Sequence, residues 1–297
     1  MPSLKEVKNR INSVNSTRKI TSAMKMVASA KLHSAQKSIE SMRPYESRLG
    51  RMMSTFVSTI DGDISSPYAV DRPVQRVALV VFTSNSSLCG GFNSNVVREM
   101  KRVVENYKEN GVEVVDVYAF GKKGLEAVRK SGLSYQKGTE GSQLLDHPAY
   151  APAAEIAQEL MDRFAAGEID RVEIIYYHFK SAGSQILTRE QFLPVRLDAG
   201  IENGIAAESE GGFLNDYIVE PSKEELIVKL IPKSLHLKLY TALLDSLASE
   251  HAARVIAMQV ATDNADELLH DLTLQYNKTR QQAITAELLD IVGGSMQ

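Results

Sequence analysis

Tryptophan is absent from this chain, cysteine occurs once, and aromatic residues make up only 6% of it. A single thiol, Cys89, rules out an internal disulfide and fits a reducing compartment. No apolar run approaches the ~18 residues that a membrane-spanning helix needs. The six histidines, His33, His147, His178, His236, His251 and His270, show no metal-ligand spacing and no HExxH pair. Neither GxGxxG nor GxxxxGK[ST] is present, and no Ser-His-Asp set or paired carboxylates can be read from the chain. These gaps argue against an independent enzyme and against a bound cofactor or metal. Proline and glycine are both missing between Lys233 and Val292, so nothing local stops a helix there.

What is present has a globular composition, 43% apolar and 24% charged. The net charge of −3 is unremarkable, but it is unevenly spread. Residues 1–60 carry eleven Lys/Arg against three Asp/Glu, whereas residues 140–220 carry five against fifteen. A basic end therefore faces a different environment from an acidic middle.

The stretch from about Ser234 to Val292 reads as one very long helix, spanning roughly 85–90 Å at the α-helical rise. Along it Met258, Thr262, Ala265, Leu269, Leu272, Tyr276, Thr279 and Ala283 recur at alternating spacings of four and three, the seam of a coiled coil. Gly293-Gly294 is expected to end this helix. A rod of that length exceeds what the rest of the chain can wrap, so part of it is expected to lie in solvent or in another protein. At the other end, Ser3 and Glu6 have capping-box spacing, and the helix they open starts at once, with no targeting segment expected ahead of it. Its apolar positions fall into three registers: Leu4, Val7, Ile11, Val14; then Thr17, Ile20, Met24, Val27; then Leu32, Ala35, Ile39, Met42. The slips predict a seam that drifts around the helix. Pro44 is expected to bend the helix rather than stop it, with closure at Asp61-Gly62-Asp63.

Between the helices the period changes. Arg76–Thr83 is a continuous apolar run of the kind buried on both faces of a parallel sheet. Val112–Phe120 and Arg171–Tyr177 read as further strands, and Gln185–Thr188 with Phe192–Leu197 as a hairpin. Helices are expected over Asn93–Glu109, Gly121–Lys130 and Ala153–Ala166. The alternation predicts a Rossmann-like α/β domain. Gly200–Gly212 reads as a solvated loop and Asp216–Pro221 as a last short strand. Ser222 with Glu225 opens another helix, with an interruption expected near Pro232. The expected fold is thus a long antiparallel coiled coil of N- and C-terminal helices with an inserted α/β domain. Its parts are residues 1–60, 74–200 and 213–297.

Three stretches merit a functional reading. Thr83–Asn95 (TSNSSLCGGFNSN) sits between strand and helix, where phosphate binds in dinucleotide folds. Without a glycine fingerprint or a ribose-binding acid, tight strand-helix packing is the better reading. Arg18–Lys31 is basic and helical, but it lacks aromatics for base stacking and interleaves Met24, Met26 and Val27 with lysines. It suits a protein partner rather than nucleic acid. Asn277–Gln282 reads either as a solvated turn of helix or as a set of donors on the lone helix: Arg280 for carboxylates, Gln281 and Gln282 for backbone groups.

Several motifs resemble one family. Lys19-Ile20-Thr21-Ser22-Ala23-Met24-Lys25-Met26-Val27-Ala28, Leu88-Cys89-Gly90-Gly91-Phe92-Asn93, Ala257–Ala265, Tyr276–Gln281 and Ile284–Gly294 are similar to stretches of the γ subunit of F-type ATP synthases, and the likeness runs end to end. The resemblance implies a non-catalytic central-stalk rotor subunit that transmits torque between the membrane c ring and the α3β3 catalytic ring. The coupled ion would be the proton or sodium. Its implied partners are the α and β subunits, the ε subunit and the c ring, with membrane contact only through the complex. It implies a peripheral position on the cytoplasmic face of a bacterial plasma membrane. By the same analogy Arg280 and Gln281 form a catch on a β subunit. Lys19, Met24 and Lys25 face the acidic β lever, and Tyr217 belongs to the foot near the c ring. Ser84-Asn85-Ser86-Ser87 stands where many members have an acidic-basic-glycine run, so contacts made by that loop's charges are not carried over. The cysteine pair of the redox-regulated plant type is missing, so thiol control is not expected.

Overall fold

The computed structural model describes residues 3–58, 66–135, 141–195, 220 and 222–295. Among these lie six helices: α1 (Leu4–Ser58), α2 (Phe92–Glu109), α3 (Lys122–Lys130), α4 (Gly141–Asp146), α5 (Tyr150–Ala165) and α6 (Lys223–Ser295). The strands are β1 (Arg76–Phe82), β2 (Glu113–Phe120), β3 (Arg171–Ser181) and β4 (Ser184–Leu193). Gly200–Gly212, Tyr217 with all of the expected Asp216–Pro221 strand except Glu220, and the expected closure at Asp61-Gly62-Asp63 lie outside the described residues.

The expected capping box forms. The Ser3 backbone N–H donates to Glu6 Oε2 at 2.8 Å, and the Glu6 N–H donates to Ser3 Oγ at 3.3 Å. α1 then runs unbroken through Pro44. α6 also runs unbroken through Pro232, which corrects the expected interruption. Proline there removes one backbone donor and carries an intrinsic cost of ~3 kcal/mol in a helix interior. Ile231 and Leu235 on either side of it are buried in the sheet core, and that burial outweighs the lost bond. The helix likewise continues through Gly293 and Gly294 to Ser295, so the glycine pair does not mark its end.

The sheet has strand order β2-β1-β3-β4. β1 pairs in parallel with both β2 and β3, and β4 returns antiparallel along β3. The two segments expected to form a hairpin of their own are largely one strand, β4, whose hairpin partner is β3. Alternation along β1 sends Ala78, Val80 and Phe82 into a core shared with α5 and with Ile227, Ile231, Leu235, Leu239, Leu243 and Leu247 of α6. Val77, Leu79 and Val81 are equally buried on the opposite face, where α2 contributes Val96, Met100 and Val103. The apolar run read from the sequence therefore reflects burial on both faces. Part of that burial comes from the long C-terminal helix, not only from the helices between strands.

Two compact units result. One holds Met1–Ala30, Leu88–Gly90 and Arg254–Gln297; the other holds Lys31–Ser87 and Gly91–Ala253. The division cuts both long helices instead of falling at their junctions with the sheet. Within the second unit α1 meets α6 where Leu32 packs with Ala248 and Ala252. The start of β1 is pinned by Asp170, whose Oδ2 accepts the N–H groups of Gln75 at 3.1 Å and Arg76 at 2.9 Å.

Candidate partner-binding helices

In the first unit the two long helices meet through three cross-helix contacts. Arg18 Nη1 donates to Asp266 Oδ1 at 2.9 Å, the Thr21 and Thr262 hydroxyls share a hydrogen bond of 2.8 Å, and the Lys25 ammonium donates to Gln259 Oε1. The position numbers in each pair add to 283 or 284, so the helices run antiparallel in a single register. On α6 the seam is the expected one: Met258, Ala265 and Leu272 are buried, and Thr262, Leu269, Tyr276 and Thr279 are half-buried. Ala283 is exposed. The register gives the reason, since Arg280 falls level with Leu4 and α1 has no residue left to cover position 283.

On α1 the expected second register is overturned. Ile20 and Val27 are 59% and 60% exposed, and Thr17 is exposed as well. The inward positions are Arg18, Thr21, Lys25 and Ala28, with Met24 beside them. They join Leu4, Val7, Ile11 and Val14 to Leu32, Ala35 and Ile39 in one unbroken alternation of threes and fours. The helix thus keeps a strict heptad phase and does not drift. Its middle turns place polar side chains inward because the apolar turns on either side set the phase, and α6 supplies Asp266, Thr262 and Gln259 to receive them. The signal that could have found this layer is the common phase of Leu4–Val14 and Leu32–Ile39. The Arg18–Asp266 pair is about half exposed at both side chains, which limits it to about 0–1 kcal/mol. Beside it is a recess of about 310 Å³ lined by Arg18, Lys19, Ser22, Thr262 and Asp266.

Of the residues singled out in the sequence, Lys19, Arg280 and Gln281 are exposed, while Met24 and Lys25 are half-buried, the latter already engaged by Gln259. Arg280 and Gln281 stand where α1 begins. Past them α6 continues for about 20 Å at the helical rise, with no other described helix beside it. Ile284, Leu288, Leu289, Ile291 and Val292 on that stretch are all exposed, the last four by more than half.

The turn after β1 is closed by its own groups. The Ser84 N–H donates to Asn93 Oδ1 at 2.9 Å, Ser84 Oγ donates to the Ser86 carbonyl at 2.6 Å, and the Asn93 amide donates to Ser84 Oγ at 2.7 Å. Thr83 Oγ1 donates to the Phe120 carbonyl at 2.8 Å and accepts the Gly124 N–H at 2.7 Å. These bonds fill the strand ends where a phosphate would sit, and they favour the packing reading of the motif. Cys89 is buried. Among the described residues no His, Cys, Asp or Glu side chains converge as a metal set, and no helix is long and apolar enough to cross a membrane.

The arrangement defines a class of protein: an α/β body with a packed, self-satisfied sheet, carrying a terminal helix that outruns its partner and bares apolar side chains. The family model for ATP synthase matches residues 3–296. The chain is 58% identical to the ATP synthase gamma chain of Bacteroides fragilis over 300 residues, covering all of both chains. It is 46% identical to the gamma chain of Flavobacterium johnsoniae, covering 99% of this chain and 98% of that one. Among solved structures, the rotor of the Euglena gracilis mitochondrial ATP synthase matches with a TM-score of 0.61 at 20% identity, over 95% of this chain and 98% of that one. The central stalk and c-ring structure of the Tetrahymena thermophila enzyme matches with a TM-score of 0.55 at 27% identity, over 82% of this chain and 99% of that one. The chain belongs to the ATP synthase gamma-chain family.

Proposed function

We infer that this chain is the central-stalk rotor subunit of an F-type ATP synthase, carrying torque between a membrane c ring and an α3β3 catalytic ring. It couples ion flow to ATP synthesis or hydrolysis without performing the chemistry itself. The observation that carries this reading is the end of α6 past the start of α1, whose exposed apolar side chains need a sleeve of foreign protein. The α and β subunits are that sleeve. The ε subunit and the c ring take the α/β body, with Tyr217 at the foot. The chain is held peripherally at the cytoplasmic face of a bacterial plasma membrane, through the complex.

Arg280 and Gln281, exposed at the point where α6 loses its partner, serve as the catch on a β subunit. Lys19 and Met24 meet the acidic β lever, with Lys19 as the freer cation and Lys25 tied to Gln259. In the recess beside Lys19, Arg18 is already paired with Asp266, so Lys19 is the cation turned to an acidic side chain. Contacts of this exposed kind are worth about 0–1 kcal/mol each, which suits a surface that engages and releases repeatedly. Reconstitution of the full chain with α and β subunits tests the reading. Arg280→Ala should lower the yield of assembled complex or its ATPase turnover; assembly and turnover equal to wild type would remove Arg280 from the catch.

A further inference from the structure

α6 presents two kinds of stripe to the sheet. Ile227, Ile231, Leu235, Leu239, Leu243 and Leu247 recur every four residues and enter the apolar core. Lys238, Asp245 and Ser249 follow at spacings of seven and four, which puts them together on a neighbouring face of the helix. All three reach main-chain atoms of the sheet. Ser249 Oγ donates to the Tyr177 carbonyl at 3.2 Å, the Asp245 carboxylate accepts the Phe179 N–H, and Lys238 Nζ donates to the Gln191 carbonyl at 3.1 Å. Two of them also hold side chains: Asp245 Oδ2 lies 2.5 Å from His178 Nδ1, and Lys238 Nζ 2.7 Å from Glu190 Oε1. β3 has an edge to offer because its pairing with β1 ends at Val81↔Ile175, whereas the strand runs on to Ser181. The Tyr177 carbonyl and the Phe179 N–H, two residues apart, point to that same edge. Side chains of α6 meet them there in place of a further strand.

The two stripes resist different motions. Apolar burial is proportional to area and has no direction, so a small turn of the helix about its axis, or a small slide along it, keeps most of that contact. A hydrogen bond weakens steeply as its angle opens, so the same small motion breaks it. The anchors from Lys238 to Ser249 span eleven residues, about 16 Å of helix. Anchors spread over that length oppose tilting as well as turning. Two of the three end on backbone that is held from the other side by the β3–β4 ladder, through Tyr177↔Leu187 and Phe179↔Gln185. Ser249 is fully buried and the Asp245 side chain is 15% exposed, so water is a poor replacement for either bond. The Lys238 side chain, 35% exposed, is the anchor that water can best replace.

We propose that Lys238, Asp245 and Ser249 are positioning residues that key α6 to β3 and β4, so that the sheet and the long helix turn as one body. The proposal rests on the rotor reading and adds to it the place where torque enters the shaft. A twisting load applied to the α/β body passes into α6 through directional bonds to strand backbone, while the apolar stripe supplies stability. Without the key, the helix keeps its core contacts and creeps against the sheet under load.

Two measurements on the full chain test the key, using the double variant Asp245→Ala/Ser249→Ala with its fold checked by circular dichroism. The first needs no partner. Spin labels on cysteines replacing Lys233 of α6 and Ile186 of β4, both exposed, in a Cys89→Ala background, report the spread of helix-to-sheet distances. The double variant should broaden that spread, and Asp245→Asn, which keeps an acceptor for the Phe179 amide, should stay close to wild type. The second uses complexes reconstituted into vesicles, with ion uptake per ATP hydrolysed read by a proton or a sodium indicator. The ratio should fall in the double variant and recover in Asp245→Asn with Ser249 intact. A spread as narrow as wild type overturns the key, and a broadened spread with an unchanged uptake ratio overturns its part in torque. Wild-type complexes that hydrolyse ATP without ion uptake would instead sink the rotor reading, leaving the first measurement to decide the key. If the double variant does not fold, Lys238→Met at the more exposed anchor carries the same comparisons.

Discussion

The antiparallel seam makes opposite predictions for two leucines on the same helix. Leu272 is 3% exposed between α6 and α1, whereas Leu288, past the start of α1, is 57% exposed. Leu272→Ala removes three buried carbons at ~0.8 kcal/mol each and leaves a gap that a two-helix layer can partly close. The expected loss is about 2–3 kcal/mol, the lower part of the range for such truncations. Local opening of residues 265–280 should then become roughly 30- to 150-fold more frequent. Leu288→Ala keeps helix propensity and vacates only solvent, so it should change opening by less than ~0.5 kcal/mol. Hydrogen exchange on the isolated full chain reads both. On the proposed function, the same Leu288→Ala chain should bind less tightly when combined with α and β subunits. If Leu288→Ala raises exchange in the isolated chain as much as Leu272→Ala does, the tip packs on its own chain and the reasoning fails.

Two further substitutions test the sheet. Gly121 has φ +93, and a Cβ there would lie 2.5 Å from the Thr83 carbonyl oxygen, so Gly121→Ala should cost about 3–5 kcal/mol in urea unfolding; a loss under about 1 kcal/mol would contradict the geometry. Asp170→Ala leaves the Gln75 and Arg76 amides without their acceptor and Arg72, 3.6 Å away, without its anion. A loss of about 3 kcal/mol is expected, with Asp170→Asn milder because its carbonyl still accepts; equal stability of the alanine and wild-type chains would exclude this role.

The α6 seam from Met258 to Thr279 was legible in the sequence because a helix presents the same face every seven residues and that face holds only apolar, threonine and tyrosine side chains. The capping box at Ser3 and Glu6 was legible for a similar reason, since it depends on neighbours within a few positions. The inward face of α1 was not. There the apolar residues Ile20 and Val27 lie one position out of phase with both flanks, and local hydropathy favoured them over Arg18, Thr21 and Lys25. A stiff helix cannot change phase for two turns and return, so the flanks prevailed and α6 supplied polar partners.

Local pattern therefore determined that long helices would flank a β-rich middle, and the chain's likeness to one family followed from its motifs. Only the tertiary structure decided which turns of α1 face α6, and that α6 would cross Pro232. Each of these depends on a partner far away in sequence. Burial against that partner outweighs the few kcal/mol by which a proline or an inward-facing charge disfavours its place.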